Sequence, residues 1–310
     1  YYDRKKCDFM DLIMIILPVF LIFGVGYLSD KILKFDIKSI SSMSLYILLP
    51  ILTFNTFYRN ELTIDYLYVF FFTFLLTGIL LVITAVWGYF IKSSKEDISA
   101  ILLGTLFPNS GNYGTPVALF ALGATAFDYA IVLMVLHGFV ISTVGIFIAS
   151  FGSGATITVK EALINIFKIP VIHGAVVGIV FQLANIRLDQ GILDIVEMTG
   201  NAAIPVVMLI LGMQLARITR ESFEIKDMTA VVSIRMVLSP IIAAALVMIM
   251  PVDDTMKMVF ILLNAMPVAA NSTMLAVQFN VKPNVVSLST LITTLISILT
   301  IPICLYLIGI

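Results

Sequence analysis

Apolar runs of eighteen residues or more recur from one end of this chain to the other. A run of that length crosses the hydrocarbon core of a bilayer as a helix, and no water-soluble fold has room for so many. Of the 310 residues, 60% are hydrophobic and only 12% are Asp, Glu, Lys or Arg, with a mean hydropathy of +1.09. Soluble domains carry about 25% charged residues, so this chain cannot clothe a water-facing surface. The runs are continuous rather than alternating, which argues against a transmembrane β-barrel. The fold class is therefore an all-α polytopic membrane protein.

Other classes fall on the same residues. A net charge of −1 leaves no basic face for nucleic acid. Cys7 and Cys304 lie at opposite ends and build no disulfide framework. No HExxH, GxSxG or Walker sequence and no paired thiols support an intramembrane enzyme, and no metal site or cofactor is expected.

Hydropathy places ten spans, at Leu12–Leu28, Ile40–Phe57, Tyr66–Ile91, Ile98–Leu122, Tyr129–Phe151, Ile164–Leu183, Ile195–Ala216, Met228–Met250, Met258–Val277 and Asn284–Leu307. Connections are short, the longest polar one lying between Arg217 and Asp227, so whatever the protein does is done within the bilayer. Residues 1–9 (YYDRKKCDF) precede the first span and read as a leader or an upstream remnant with no functional role. Loops after odd-numbered spans carry eleven Lys and Arg against six on the other side, three of the six within that leader. The excess predicts cytoplasmic odd loops, with both chain ends on the non-cytoplasmic side of a plasma membrane.

The ten spans divide into five plus five, residues 10–152 and 160–310. Span 4 reads ILLGTLFPNSGNYGTP from Ile101, and span 9 reads FILLNAMPVAANSTML from Phe260; an offset of 159 superposes Pro108 on Pro267 and Asn112 on Asn271. Pro50 in span 2 and Pro205 in span 7 make a second pair at an offset of 155. Because five is odd, the second half must insert upside down relative to the first. Inverted repeats of this kind are a transporter signature, with substrate held where broken helices meet.

Pro108 and Pro267 each remove a helix hydrogen bond. After Pro108 come two glycines and Pro116 within eight residues, and Gly and Pro cost about 1 and 3 kcal/mol against Ala inside a helix. Unwinding is the cheaper outcome, tolerated at membrane depth only where protein or a wet cavity receives the freed groups. Span 9 repeats the pattern more weakly, with Pro267, Asn271, Ser272 and Thr273 and no glycine. Each second half-helix would then present free amides and a partial positive charge, a setting that favours carboxylate or phosphate. The candidate substrate-binding residues are Asn109, Ser110, Gly111, Asn112, Gly114, Asn271, Ser272 and Thr273, with Pro108, Pro116 and Pro267 making the breaks.

No acidic residue falls at the middle of a span, where a proton pump or cation antiporter would need one; an anionic substrate fits better. Arg235 lies about seven residues inside span 8. It is a candidate partner for a substrate carboxylate, although a long side chain so placed is expected to snorkel outward or to make a structural pair. His137 and His173, the only histidines, could couple proton movement to transport, but a packed neutral state is the ordinary one. Asn201, just before Pro205, is a candidate cavity-lining residue.

Ten spans in two halves, the stretch Pro-Asn-Ser-Gly-Asn-Tyr-Gly-Thr-Pro from Pro108 and the matching Pro-Val-Ala-Ala-Asn-Ser-Thr from Pro267 together resemble the auxin efflux carrier family. That family holds the plant PIN carriers and bacterial permeases assigned to malate, malonate or lactate, and the likeness runs from Met10 to Ile310. The chain lacks the long central loop of the larger plant members. The resemblance implies a fold similar to the bile-acid/sodium symporters, in which spans 4 and 9 cross at their breaks. Spans 1, 2, 6 and 7 would be the scaffold, and spans 3–5 and 8–10 a transport domain moving in an elevator-like cycle. Ala269 and Ala270 stand where span 4 has Ser110 and Gly111, so matched ion sites in the two halves are not implied.

The expected function is secondary active transport of small organic anions, malate-like or auxin-like acids, without ATP. Sodium or protons are the candidate coupling ions, the expected partners are the carboxylate and the lipid bilayer, and a homodimer is left open. Two alternatives stand beside it. One is a sodium-coupled symporter of a larger amphipathic anion, and the other is a membrane sensor that keeps a carrier's fold.

Overall fold

The computed structural model describes residues 9–61, 63–155, 158, 160–161, 164, 167–218 and 225–310. The leader, apart from Phe9, lies outside them, as does Arg220 from the loop-charge count. The chain is all-helical, and the described residues form no β-strand beyond one isolated bridge. In chain order the helices are α1 (Phe9–Leu33), α2 (Ile37–Arg59), α3 (Asp65–Phe90), α4 (Lys95–Leu106), α5 (Thr115–Leu122), α6 (Ala124–Ser153), α7 (Pro170–Leu183), α8 (Gln190–Ala216), α9 (Ile225–Ile249), α10 (Asp254–Asn264), α11 (Ala270–Phe279) and α12 (Pro283–Leu307). By length and composition seven of these can cross a membrane: α1, α2, α3, α6, α8, α9 and α12.

Proline stands at an end of several of the others, after α4 (Pro108) and α10 (Pro267) and at the start of α7 (Pro170). Span 6 is shorter than its hydropathy suggests, because the helix begins at Pro170 and Ile169 before it is extended (φ −87°, ψ 106°); a residue ahead of proline is pushed out of the helical region. Three of the prolines inside spans are absorbed differently. The π turns Ser44–Leu48, Ser110–Gly114 and Ile234–Leu238 each stand two residues ahead of a proline, namely Pro50, Pro116 and Pro240. In each case the residue just before the proline donates five residues back, as Thr115 N–H does to Ser110 C=O. The wider turn makes room for the pyrrolidine ring without stopping the helix.

Two helix pairs meet at backbone distance. Gly212 of α8 lies against Phe23 of α1, where an added Cβ would sit 2.1 Å from the Phe23 carbonyl oxygen, and Gly26 meets Leu209 in the same way at 2.2 Å. Gly174 of α7 lies against Pro50 of α2, again at 2.1 Å, and Gly178 against Phe54 at 2.7 Å. Small residues at such crossings let two helices share dispersion along their backbones, the main attraction available between apolar helices in lipid. A bidentate ion pair from Arg217 to Asp30 (2.7 Å at its shortest) closes the α1–α8 end. At another end Lys282 bonds both Asp97 and Asp227, fastening the starts of α4, α9 and α12.

The main apolar core gathers around the region where α4 and α10 end, drawing in Phe107, Tyr113, Phe260, Met266 and Ala269. Phe72 of α3 stacks on Phe260 at 4.1 Å, and Phe23 of α1 meets the edge of Tyr113 at 5.1 Å.

The glycine contacts give a direct test. Gly212→Ala and Gly174→Ala each force a methyl into a facing carbonyl, so each should lower the thermal midpoint of the purified protein by about 3–10 °C. Gly24→Ala, on the same α1 but with nothing within 4 Å of its added Cβ, should leave the midpoint within about 1 °C of wild type, since surface changes of this kind stay small.

Candidate functional site

Two segments of the chain leave the helix in the same place. After α4, Phe107 is extended (φ −111°, ψ 105°), Pro108 follows, and Asn109 (φ −76°, ψ 63°) leads into the π turn Ser110–Gly114 and then α5. After α10, residues 265–269 are non-helical and Ala269 is extended (φ −64°, ψ 136°) before α11 begins. The two interruptions lie side by side, antiparallel, with Pro108 bridged to Val268 rather than to Pro267. Asn109 N–H donates to Pro267 C=O (2.8 Å), and Ala269 N–H donates to Phe107 C=O (2.9 Å). Val268 N–H is taken by the Thr293 hydroxyl of α12 (3.2 Å). Each break thus satisfies backbone groups that the other has freed, the condition for tolerating irregular chain inside a membrane protein.

The chain is buried throughout this region: residues 105–110 and 262–270 are all shielded from solvent. Twelve residues in α4 make about 18 Å of helix at 1.5 Å per residue, and the thirteen from Ser110 to Leu122 about 20 Å. The interruption therefore falls near the middle of its segment. The π turn begins at Ser110 and α11 at Ala270, each two residues beyond the bridged pair. Backbone N–H groups of Gly111, Asn112 and Tyr113 find no backbone acceptor among the described residues. These are the unpaired amides that carry the positive end of a helix dipole.

The candidate residues are not equally exposed. Asn109, Ser110, Gly114 and Ser272 are buried, Gly111, Asn112 and Thr273 are half-buried, and Asn271 is exposed. Pro108, Pro116 and Pro267 are buried. Asn109 Nδ2 and Ser272 Oγ have no hydrogen-bond partner among the described residues. The Ser110 hydroxyl sits 2.6 Å from His137 Nδ1 of α6 and also donates to Pro108 C=O at 3.3 Å. Which of the pair donates follows from the histidine's tautomer: a protonated Nδ1 donates to Ser110, and a bare Nδ1 accepts from it. His173 and Asn201 are on exposed faces of α7 and α8. Two hollows, of about 340 and 470 Å³, open elsewhere, one among Lys92, Asp97, Asp227 and Lys282 and the other among Asp30, Lys34 and Arg217.

Arg235 departs from the snorkelling expectation. It is wholly buried, and it donates to Thr105 C=O (3.0 Å), to the Ser239 hydroxyl and to Asn264 C=O. The π turn Ile234–Leu238 holds it, and its head turns inward to the ends of α4 and α10 instead of running out along the helix. The partners it finds are carbonyls and a hydroxyl; among the described residues no carboxylate pairs with it.

Several residues at this centre are absent from the sequence-based set. Asn264 donates from Nδ2 to Phe260 C=O (2.8 Å), Tyr113 shares a hydrogen bond with Ser297 (2.9 Å), and Thr273 with Thr290 (3.0 Å). Ser289, Thr290, Thr293, Thr294 and Ser297 are all buried on α12. Their spacing of three and four lines one helical face, which was the available signal. Thr293→Val removes the one partner that Val268 N–H has among the described residues and keeps the side-chain shape. It should destabilise the protein by about 1–3 kcal/mol, measured as a lower unfolding midpoint, whereas Thr300→Val, whose hydroxyl has no partner, should not.

Comparison with known proteins gives a consistent result. Residues 11–305 match the family described as membrane transport protein. An uncharacterized transporter of Methanocaldococcus jannaschii is 25% identical over 305 residues, covering 94% of this chain and 96% of the relative. An uncharacterized transporter of Methanothermobacter thermautotrophicus is 25% identical over 299 residues, covering 94% and 95%.

Proposed function

The chain belongs to the membrane transport protein family, the auxin-efflux-carrier-like family its sequence resembles, and we propose that it is a secondary active carrier of small organic anions. The observation that carries this reading is the joining of the two interruptions at Pro108 and Val268, from which two helical segments start. Each helix start is worth about half a positive charge, so two of them offer about one, the charge needed to hold one carboxylate. Asn112, half-buried in the first turn beyond Pro108, and Asn271, exposed in the first turn of α11, would add amide donors, and Ser110, Ser272 and Thr273 hydroxyls. Gly111 and Gly114 would let the ligand approach the backbone.

The division of labour follows from the packing. The pairs α1–α8 and α2–α7, locked through glycine at backbone distance, would form the scaffold. The segments α3–α6 and α9–α12, fastened by Lys282 and by the exchanged backbone bonds, would be the moving unit of an elevator-like, alternating-access cycle. The two units would be built from two inverted five-span repeats, residues 10–152 and 160–310. Phe20 and Phe23 of α1, packed on Tyr113, would be the sliding contact between scaffold and transport unit. Protons are the coupling ion this reading favours, because His137 is hydrogen-bonded to Ser110 at the start of the π turn.

Reconstitution into proteoliposomes with a panel of mono- and dicarboxylates tests the proposal. Asn112→Ala and Asn271→Ala should each weaken carboxylate binding about 10- to 100-fold, the cost of losing a hydrogen bond to a charged group, while the protein stays monodisperse. Unchanged flux in both variants removes them from the site, and binding without turnover in the wild type favours a sensor. His137→Gln should flatten the pH dependence of flux; a dependence that persists clears the residue.

A further inference from the structure

Arg235 is the charge in the interior that the carrier reading leaves unused. Its guanidinium reaches the last turn of α4 through Thr105 C=O and the last residue of α10 through Asn264 C=O. The Ser239 hydroxyl joins the set, donating to Asn264 C=O at 3.0 Å and accepting from Arg235. The oxygens around the arginine head are therefore carbonyls from two helix C-termini and one hydroxyl. Oxygens of that kind, at the C-terminal ends of interrupted helices, are what transporters use to hold alkali cations. Two helix C-termini carry about half a negative charge each, so together they call for about one positive charge, and one guanidinium supplies it.

We propose that Arg235 is the resident cation of this centre: its guanidinium fills permanently the oxygen cage that a sodium ion would otherwise occupy between α4 and α10. A covalently tethered cation cannot be exchanged during a cycle. It balances the two negative ends and leaves the two positive helix starts beyond the breaks uncompensated, available to an anion. Together with the carrier reading, this makes transport independent of sodium, but the cage itself is testable without any substrate.

The experiment is thermal unfolding of the purified full-length protein in detergent, in sodium, lithium, potassium and N-methyl-D-glucamine chlorides at matched ionic strength. Wild type should unfold at the same midpoint in all four, within about 1 °C. Arg235→Ala uncovers the oxygens; its midpoint should fall by about 5 °C or more in N-methyl-D-glucamine and recover by about half in sodium or lithium, since a ligand that binds only the folded state raises its stability. Arg235→Lys, which keeps the charge, should remain indifferent to the salt. Sodium-specific stabilisation of the wild type overturns the proposal, as does an Arg235→Ala deficit that no alkali cation relieves, which is the outcome of a purely structural arginine. Should Arg235→Ala not fold, Arg235→Gln, which also removes the charge while filling more of the space, takes its place: relief of its deficit by sodium or lithium supports the proposal, and a deficit that no alkali cation relieves overturns it. Failure of carboxylate flux would remove the carrier reading while leaving these midpoints to stand or fall on their own.

Discussion

Everything at the centre of this protein depends on two short lengths of non-helical chain solving each other's hydrogen bonding. A proline in a membrane helix frees a carbonyl and supplies no N–H, and in hydrocarbon an unpaired backbone group costs several kcal/mol. One interruption alone would need water or side chains to repair it. Here Asn109 and Ala269 give their N–H groups to Pro267 and Phe107, so neither interruption is tolerable without the other. That reciprocity explains why irregular backbone can be fully buried here. It also fixes the polarity of the centre: two helices end there, two helical segments begin there, and their partial charges are laid out in fixed positions by the fold.

Those partial charges sort themselves. The negative ends of α4 and α10 are bound up with Arg235 and Ser239, and they are sealed within the protein. The candidate donors at the positive starts, from Ser110 and from Ala270, are themselves neutral: Asn112 and Thr273 are half-buried and Asn271 is exposed. On the proposed reading, a buried cation on one side and unfilled positive ends on the other would give the site a preference for negative charge. Electrostatic selection through backbone dipoles suits a carrier, because a fixed side-chain cation facing the ligand would bind a carboxylate too tightly for it to leave.

How far this centre could be read from residues alone follows from the kind of physics each part obeys. Pro108 and Pro267 were legible because a missing N–H is a local property that no tertiary context restores. The density of glycine and proline after Pro108 marked the first interruption for the same reason. Arg235 was read for its place in the span, with outward snorkelling or a structural pair as the expectation, and the inward turn of its head onto helix-end carbonyls was not read. The direction a side chain takes depends on the phase of the helix beneath it, and that phase is altered by a π turn whose cause, Pro240, lies five residues further on. Span 6 was drawn too long because an averaged hydropathy runs straight across Pro170, which no window of apolar content can register. The hydroxyl face of α12 was overlooked because Ser and Thr inside an apolar span read as neutral filler until their periodicity is counted.

The family likeness and the physical argument bear on different parts of the molecule. The family match over residues 11–305 locates the chain among membrane transport proteins, but it says nothing of a ligand. What remains common to any sequence that folds this way is the backbone: two interruptions, each useless without its partner, and four helix ends whose charges must be answered. The negative pair has to be met from within the protein or by an ion drawn from water, and this chain meets it with a side chain. A carrier that settles half of its electrostatics covalently has one fewer ion to lose or gain at each half-cycle. On the proposed reading its driving force would come from the substrate's own gradient or from a proton, with His137, bonded to the first residue of the π turn beyond Pro108, as a titratable group in contact with that turn.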